Sequence, residues 1–302
     1  MKAINIKKLV KTYWKNQVLK EIDLEIEQGD FFALLWHNWA WKTTIISIIT
    51  NLVTKDSGKI EINWVDIDDN FSLARSHIWV VPQEFNFDLF AKVRDIVIQQ
   101  AGYYGISKDL AGERADYYLE KLWLSDKANE KAVTLSWWMK RRLMIARALV
   151  HEPKILILDE PTAWVDVELR KTMWEFINEL NANWTTILLT THYLEEVEAL
   201  CKNVAIINKW EIVENTSVKK LLWKLDEEVI VLDCEKNITD LNDDLVKIFN
   251  AKIISDSEIE ITISKNNNLN DLFDKLNSLD IKIRSFRNKV NRLEKLFIDI
   301  TK

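Results

Sequence analysis

Glycine is what this chain most lacks. Its 302 residues include 5 glycines and 14 tryptophans, whereas an ordinary composition would supply about 21 glycines. Glycine enters positive φ without steric cost, and it lets a ligand approach the backbone with no Cβ in the way. Such a chain should be poor in tight hairpins, glycine-capped helices and phosphate-cradling loops, unless tryptophan stands where those features need glycine.

Tryptophan does stand in such places. Trp36-His37-Asn38-Trp39-Ala40-Trp41-Lys42-Thr43-Thr44 becomes the phosphate-loop pattern G-x-x-x-x-G-K-T when glycine is read at its three Trp positions. Leu135-Ser136-Trp137-Trp138-Met139 becomes L-S-G-G-M by the same reading, and Asn208-Lys209-Trp210 is a turn that favours glycine. The context of the first segment is strand, loop, helix. Phe31-Phe32-Ala33-Leu34-Leu35 is a continuous apolar run that predicts a fully buried strand, and a helix is expected from Lys42 to Asn51.

Two more buried strands are predicted, each with polar groups at its carboxyl end, where open α/β sheets bind ligands. Ile155-Leu156-Ile157-Leu158 runs into Asp159-Glu160, and Thr185 to Thr190 stops just before His192. Val18 to Glu27 alternates as a half-buried strand, residues 93 to 150 look mainly helical, and Asn203 to Glu214 suggests two short strands. Beyond about residue 217 the pattern changes to a small α+β domain. Strands are expected at 228–232, 258–263 and 281–283, and helices at 269–279 and 291–300.

Helix N-termini bind phosphate because their free N–H groups converge and the helix dipole adds positive potential. In that setting Lys42 would neutralise β- and γ-phosphate charge, and the Thr43 hydroxyl would ligate Mg²⁺. Asp159, ending an apolar strand, suits a carboxylate that holds a Mg²⁺ shell, and Glu160 beside it could orient or deprotonate the attacking water. Ser136 fits an N-cap for a helical run over Met139 to Leu149. The neighbouring Lys140-Arg141-Arg142 is expected to be a solvated helix face. The C-terminal domain has no cluster of chemistry-capable residues, so packing or docking is its expected role.

Taken together, these segments resemble the ATPase subunit of ABC (ATP-binding cassette) transporters, most closely the ABC-2 type exporter ATPases. The resemblance covers nearly all of residues 1 to 217, with five motifs in family order and Asp159 standing 117 positions after Lys42. It implies an α/β P-loop NTPase cassette over 1–217, with a mixed sheet and an inserted helical subdomain at about 93–150. A small C-terminal α+β domain over 218–302 follows. ATP and Mg²⁺ are the implied ligands, with Trp36, His37, Asn38, Trp39, Ala40, Trp41, Lys42, Thr43 and Thr44 around the nucleotide. Gln83 matches the glutamine that contacts Mg²⁺ and senses the membrane partner, Tyr13 the aromatic that stacks on adenine, and His192 the switch histidine at the γ-phosphate. Asp166 matches the loop that communicates across a dimer, and Ser136, Trp137 and Trp138 the signature that caps the other subunit's nucleotide. The implied partners are a separate membrane permease and a second ATPase subunit in a homodimer, on the cytoplasmic face of the membrane.

Bulk composition agrees. With 41 Lys and Arg against 47 Asp and Glu the net charge is −6, so no basic field favours nucleic acid. No apolar run approaches the ~18 residues of a membrane span, and Met1 to Lys8, interrupted by Lys and Asn, has no signal-peptide core. Cys201 and Cys234 form no metal or redox motif and are expected to be structural. A chromosome-organising cassette would need a long coiled coil between Lys42 and Asp159, and a translation-associated one would carry two cassettes per chain. Neither fits.

Taken literally, indoles at 36, 39 and 41 would fill the space for phosphate, and the chain would be a catalytically dead regulatory module. A gene in which UGA specifies glycine, translated with UGA as tryptophan, accounts for the same pattern; deliberate replacement of glycine by tryptophan is the rival account, and the gene's codons separate the two. On the UGA reading Trp14, Trp36, Trp39, Trp41, Trp64, Trp79, Trp123, Trp137, Trp138, Trp164, Trp184 and Trp210 are glycines, with Trp223 a further candidate. Trp174, on the apolar face of a helix after Met173, is a tryptophan.

Overall fold

Three buried strands predicted from apolar runs form the centre of a parallel sheet in the computed structural model. It describes residues 1–36, 42–162, 167–238, 240–264, 267, 269–289 and 291–301, with backbone alone for Lys42, Thr43 and Val167. The chain forms two compact units, Met1–Asn215 and Thr216–Lys302.

The first unit begins with β1 (Lys2–Tyr13), β2 (Asn16–Glu27), β3 (Phe31–Trp36) and α1 (Lys42–Ile49). Next come β4 (Ser57–Ile62), β5 (Val65–Asp66), α2 (Phe71–Ser76) and β6 (Ile78–Val81). Three helices follow, α3 (Val93–Tyr103), α4 (Lys108–Lys121) and α5 (Trp137–Leu149). The remainder is β7 (Ile155–Asp159), α6 (Val167–Ala182), β8 (Thr186–Thr190), α7 (Leu194–Leu200), β9 (Asn203–Asn208) and β10 (Glu211–Ser217). A six-stranded sheet runs β10-β9-β3-β8-β7-β6, with β9, β3, β8, β7 and β6 parallel to one another. Its inner strands carry continuous apolar runs because both faces are covered; Phe31 to Leu35 are all buried. A second, antiparallel sheet runs β2-β1-β4-β5. Its strand β1 escaped the sequence reading: Ala3, Ile4, Ile6 and Leu9 are buried, but the register shifts along the strand break strict alternation.

The second unit contains α8 (Val218–Leu222), β11 (Glu227–Cys234), α9 (Asp243–Phe249), β12 (Lys252–Ser255), β13 (Glu258–Ser264), α10 (Leu269–Ser278), β14 (Ile283–Asn288) and α11 (Arg292–Thr301). Its antiparallel sheet runs β12-β13-β11-β14. Ile230, Leu232, Ile259 and Ile261 pack on Leu245 and Phe249 of α9 and on Leu272 and Leu276 of α10. The alternate residues Glu258 and Glu260 pair with Arg287 and Lys289 across the other face, which explains the strict alternation seen in sequence. Two differences stand out. The last strand begins at Ile283, where the expected one ended, and α9 and β12 were not foreseen. Both are short, with Val246, Ile248, Ile253 and Ile254 exposed, so neither carries a full amphipathic period.

The tryptophans divide sharply by backbone conformation. Trp14, Trp64, Trp123, Trp184 and Trp210 have φ of 56°, 67°, 52°, 67° and 77°, whereas none of the 11 Phe or 6 Tyr has positive φ. Each of the five sits at a glycine-specific position of a defined motif. Asn63-Trp64 joins β4 to β5 and Lys209-Trp210 joins β9 to β10, both as two-residue turns with two positive φ values, the geometry of Asn-Gly turns. Trp14 is the first central residue of the β1–β2 turn, where a type II′ turn takes glycine. Trp123 and Trp184 each follow a helix with both bonds of a Schellman cap: Leu124 N to Leu119 O (2.8 Å) and Trp123 N to Glu120 O (3.0 Å), then Thr185 N to Leu180 O (3.3 Å) and Trp184 N to Asn181 O (3.0 Å). Trp14, Trp64, Trp123 and Trp184 leave more than half their surface in solvent, so packing does not offset the strain.

Trp174 behaves differently. It lies inside α6, and its indole N–H donates to Glu196 Oε1 at 3.4 Å. Replacing the five positive-φ tryptophans by glycine should therefore stabilise the fold by about 1 kcal/mol or more per position, read as a rise in Tm. Trp174→Gly should instead destabilise by about 3 kcal/mol. Equal effects from both classes in thermal unfolding would contradict the division.

Candidate nucleotide site

Parallel pairing aligns the carboxyl ends of β3, β7 and β8. The register sets Asp159 opposite Thr190 and Leu34 opposite the same Thr190. The Thr190 hydroxyl donates to Asp159 Oδ1 at 2.5 Å, and the Glu160 amide donates to Thr190 O at 2.8 Å. These two bonds lock the end of β7 onto β8 and orient the Asp159 carboxylate.

Glu160 follows with φ of 49° and a side chain only 4% exposed. Positive φ is costly for a residue with a Cβ, so the surrounding bonds must hold it there. Two partners meet its carboxylate on one oxygen. Gln83 Nε2 donates to Oε2 at 3.3 Å, and His192 Nδ1 lies 3.4 Å from the same atom. Gln83 comes from the loop after β6, Glu160 from the end of β7, and His192 from the segment between β8 and α7. Three residues far apart in sequence thus converge on one point, beside Asp159.

Helix α5 starts as its cap residue predicts. Ser136 Oγ accepts the Met139 N–H at 3.2 Å. Trp137 stands edge-on to Phe85 with ring centres 5.7 Å apart. Trp138 is buried, and its indole N–H finds no acceptor among the described residues, a loss of about 1–3 kcal/mol that glycine would not incur. The expected solvated face at Lys140-Arg141-Arg142 is corrected by the structure. Arg141 is 1% exposed, and Arg142 is half-buried with its guanidinium on Leu122 O at 3.0 Å. Three adjacent cations have the pattern of a surface, but successive helical residues point 100° apart and one of them faces inward.

The other predicted site residues are placed as follows. Trp36 ends β3 and α1 begins at Lys42, so the strand and the helix expected on either side of the phosphate-loop segment are both present. Thr44 is buried in α1. Residues 37–41 and Asp166 lie outside the described residues, as does Trp164. Tyr13 ends β1, partly exposed, with the Lys11 ammonium 5.2 Å from its ring centre. Both cysteines are buried free thiols. Among the described residues no group of three His, Cys, Asp or Glu could hold a metal by itself, and no helix is long and apolar enough to cross a membrane.

Two neighbours of the site went unnoticed in the sequence. One is Thr190, the donor to Asp159. The other is Glu196 on α7, which is 1% exposed and accepts from the Thr162 hydroxyl and the Trp174 indole. An acid beside the apolar Val197 gives no sequence signal of burial.

The match to known proteins is consistent with this arrangement. Residues 19–163 match the family model described as ABC transporter. Over 310 aligned positions the chain is 32% identical to the linearmycin resistance ATP-binding protein LnrL of Bacillus subtilis (strain 168), covering 100% of this chain and 98% of that protein. The chain belongs to the ABC transporter ATPases. This ABC ATPase is also 35% identical over 219 residues to the Nod factor export ATP-binding protein I of Burkholderia pseudomallei (strain 1710b), covering 72% of each. Its fold matches a solved ATP-binding subunit of an ABC transporter with a TM-score of 0.68 and 25% identity, over 74% of this chain and 92% of that one. The P-loop cassette expected from sequence is therefore the fold of this ABC ATPase.

Burial raises the pKa of Glu196 above its ordinary value of 4.5, outweighing its hydrogen bonds and the charge of Arg170. An acid whose folded pKa is raised binds more protons folded than unfolded, so stability falls as pH rises through that interval. Wild type should thus lose stability relative to Glu196→Gln from pH about 4.5 upward. Parallel stability–pH curves for the two proteins in urea titrations would exclude this.

Proposed function

We propose that this ABC ATPase hydrolyses ATP to drive export through a separate membrane permease, docked at the cytoplasmic face of the membrane as a homodimer. The convergence of Gln83 and His192 on Glu160, beside Asp159, carries the reading. Glu160 is placed to accept a proton from an attacking water, with the Gln83 amide and His192 imidazole fixing its carboxylate. His192 also provides a polar group at the edge where the γ-phosphate would lie.

The donor set fits Mg²⁺, a hard cation that takes one or two protein oxygens and completes its shell with water and substrate phosphate. Asp159, oriented by Thr190, and Thr43 and Gln83 would hold it, and the ion would neutralise charge developing on the phosphates. Lys42 at the start of α1 would do the same from the loop side. Tyr13 would stack on adenine, while Asp166 and the Ser136-Trp137-Trp138 signature would complete the partner subunit's site. The export and resistance names of the relatives support the direction of transport.

A working site needs a phosphate loop without indoles at 36, 39 and 41 and a signature without them at 137 and 138. The five tryptophans in glycine-specific turns and caps, together with a Trp138 indole N–H that has no acceptor among the described residues, support UGA-encoded glycine at these positions. Mass spectrometry of the Lys20–Lys42 region of protein from its source should find glycine mass at 36, 39 and 41. Indole mass there would leave a cassette with its phosphate loop blocked and sink the proposal.

With glycine at the motif positions, Glu160→Gln should retain ATP binding and accumulate an ATP-bound dimer, with kcat reduced by about 10²-fold or more. Size-exclusion chromatography with bound-nucleotide analysis reads the dimer. Undiminished turnover in Glu160→Gln would remove Glu160 from the role of base.

A further inference from the structure

The buried guanidinium of Arg141 has partners from two separate loops. From α5, its Nε donates to Pro161 O at 3.2 Å and its Nη2 to Asp159 O at 2.6 Å. Its Nη1 donates to Pro82 O and, at 3.5 Å, reaches Gln83 O. All four acceptors are backbone carbonyls. Two belong to the residues on either side of Glu160, and two belong to Gln83 and the residue before it.

A planar guanidinium with five donors in a rigid fork can span such carbonyls as no other side chain can. Burying it is costly. Desolvation lowers its pKa to about 10, against the opposing pull of the Asp159, Glu160 and Glu196 charges. The cation persists because its N–H groups are bonded and carboxylates lie near. Glu160 needs such a restraint. At φ of 49° its peptides would relax unless fixed from both sides.

We infer that Arg141 is a positioning residue that pins the Gln83 loop and the Glu160 turn to the signature helix α5. It touches neither the Gln83 amide nor the Glu160 carboxylate in a described hydrogen bond, and acts on both through their main chains. The 3.3 Å contact between those groups is thereby set from α5. A displacement of the helix capped by Ser136 would reach both residues at once, without passing through the nucleotide. The consequence for turnover rests on the ATPase reading above; the mechanical coupling does not.

Amide hydrogen exchange of Arg141→Gln tests the coupling without nucleotide. The amides of Gln83, Glu84, Glu160 and Thr162 should exchange about tenfold faster or more, while those of Ile155–Leu158 inside β7 keep their protection. Parental exchange at either segment overturns the inference. Should Arg141→Gln not fold, Arg141→Lys serves instead. Its single ammonium cannot span both loops, so at least one segment should open, and retained protection of both overturns the inference. In glycine-bearing protein, Arg141→Gln should lower kcat by about 10²-fold with ATP affinity held within about threefold. Unchanged kcat, or a loss of affinity as large as the loss of kcat, counts against a positioning role. A parent that binds no ATP would instead refute the functional reading, leaving the exchange result to decide the coupling.

Discussion

A backbone at positive φ accepts glycine readily and other residues only under restraint, and this fold enters that region at several of its reversals of direction. The turns between β1 and β2, β4 and β5, and β9 and β10 all do so, as do the ends of α4 and α6. Register in a two-residue hairpin is set by its turn, so the antiparallel sheet and the β9–β10 edge depend on these few residues. Tryptophan occupies the critical position in all five places. An indole contributes nothing to such a turn, while Asn63 and Asn250, at φ of 47° each, are residues that tolerate it. The glycine requirement was in the backbone all along, and these five tryptophans mark five of its positions.

The same conformation recurs at the chemical centre, for a different reason. Glu160 has positive φ with a glutamate side chain that cannot be exchanged for glycine without losing the carboxylate. Here the strain is opposed by the hydrogen bond to Thr190 O, by Arg141 on the carbonyls of Asp159 and Pro161, and by the partners of its carboxylate. In a turn, strain is a defect with no compensation. At Glu160 a network surrounds it, as expected where a fixed orientation is needed.

Much of the architecture was legible in the order of residues. Continuous apolar runs marked β3, β7 and β8 because these strands are covered on both faces, and the acidic or polar residues after them lie at one end of the sheet. Strict alternation marked β13, and Ser136 marked the start of α5. Other elements left no local trace. Register shifts blurred the alternation of β1, and α9 is too short to show a helical period. The charged run at 140–142 looked solvated because a run of like residues hides which one points inward.

Sequence alone determined which strands are buried, where their polar ends fall, that the cassette belongs to the ABC ATPases, and that tryptophan stands at glycine-like motif positions. These are properties of neighbouring residues, and local pattern records them. Tertiary structure decided that Gln83, Glu160 and His192 share one carboxylate oxygen, that Arg141 is enclosed by four carbonyls, and that Trp174 lies inside a helix with Glu196 accepting from its indole while Trp123 sits at positive φ in a helix cap. Each of these depends on where separate segments meet after the parallel strands have paired, and no window of sequence contains both sides of such a meeting.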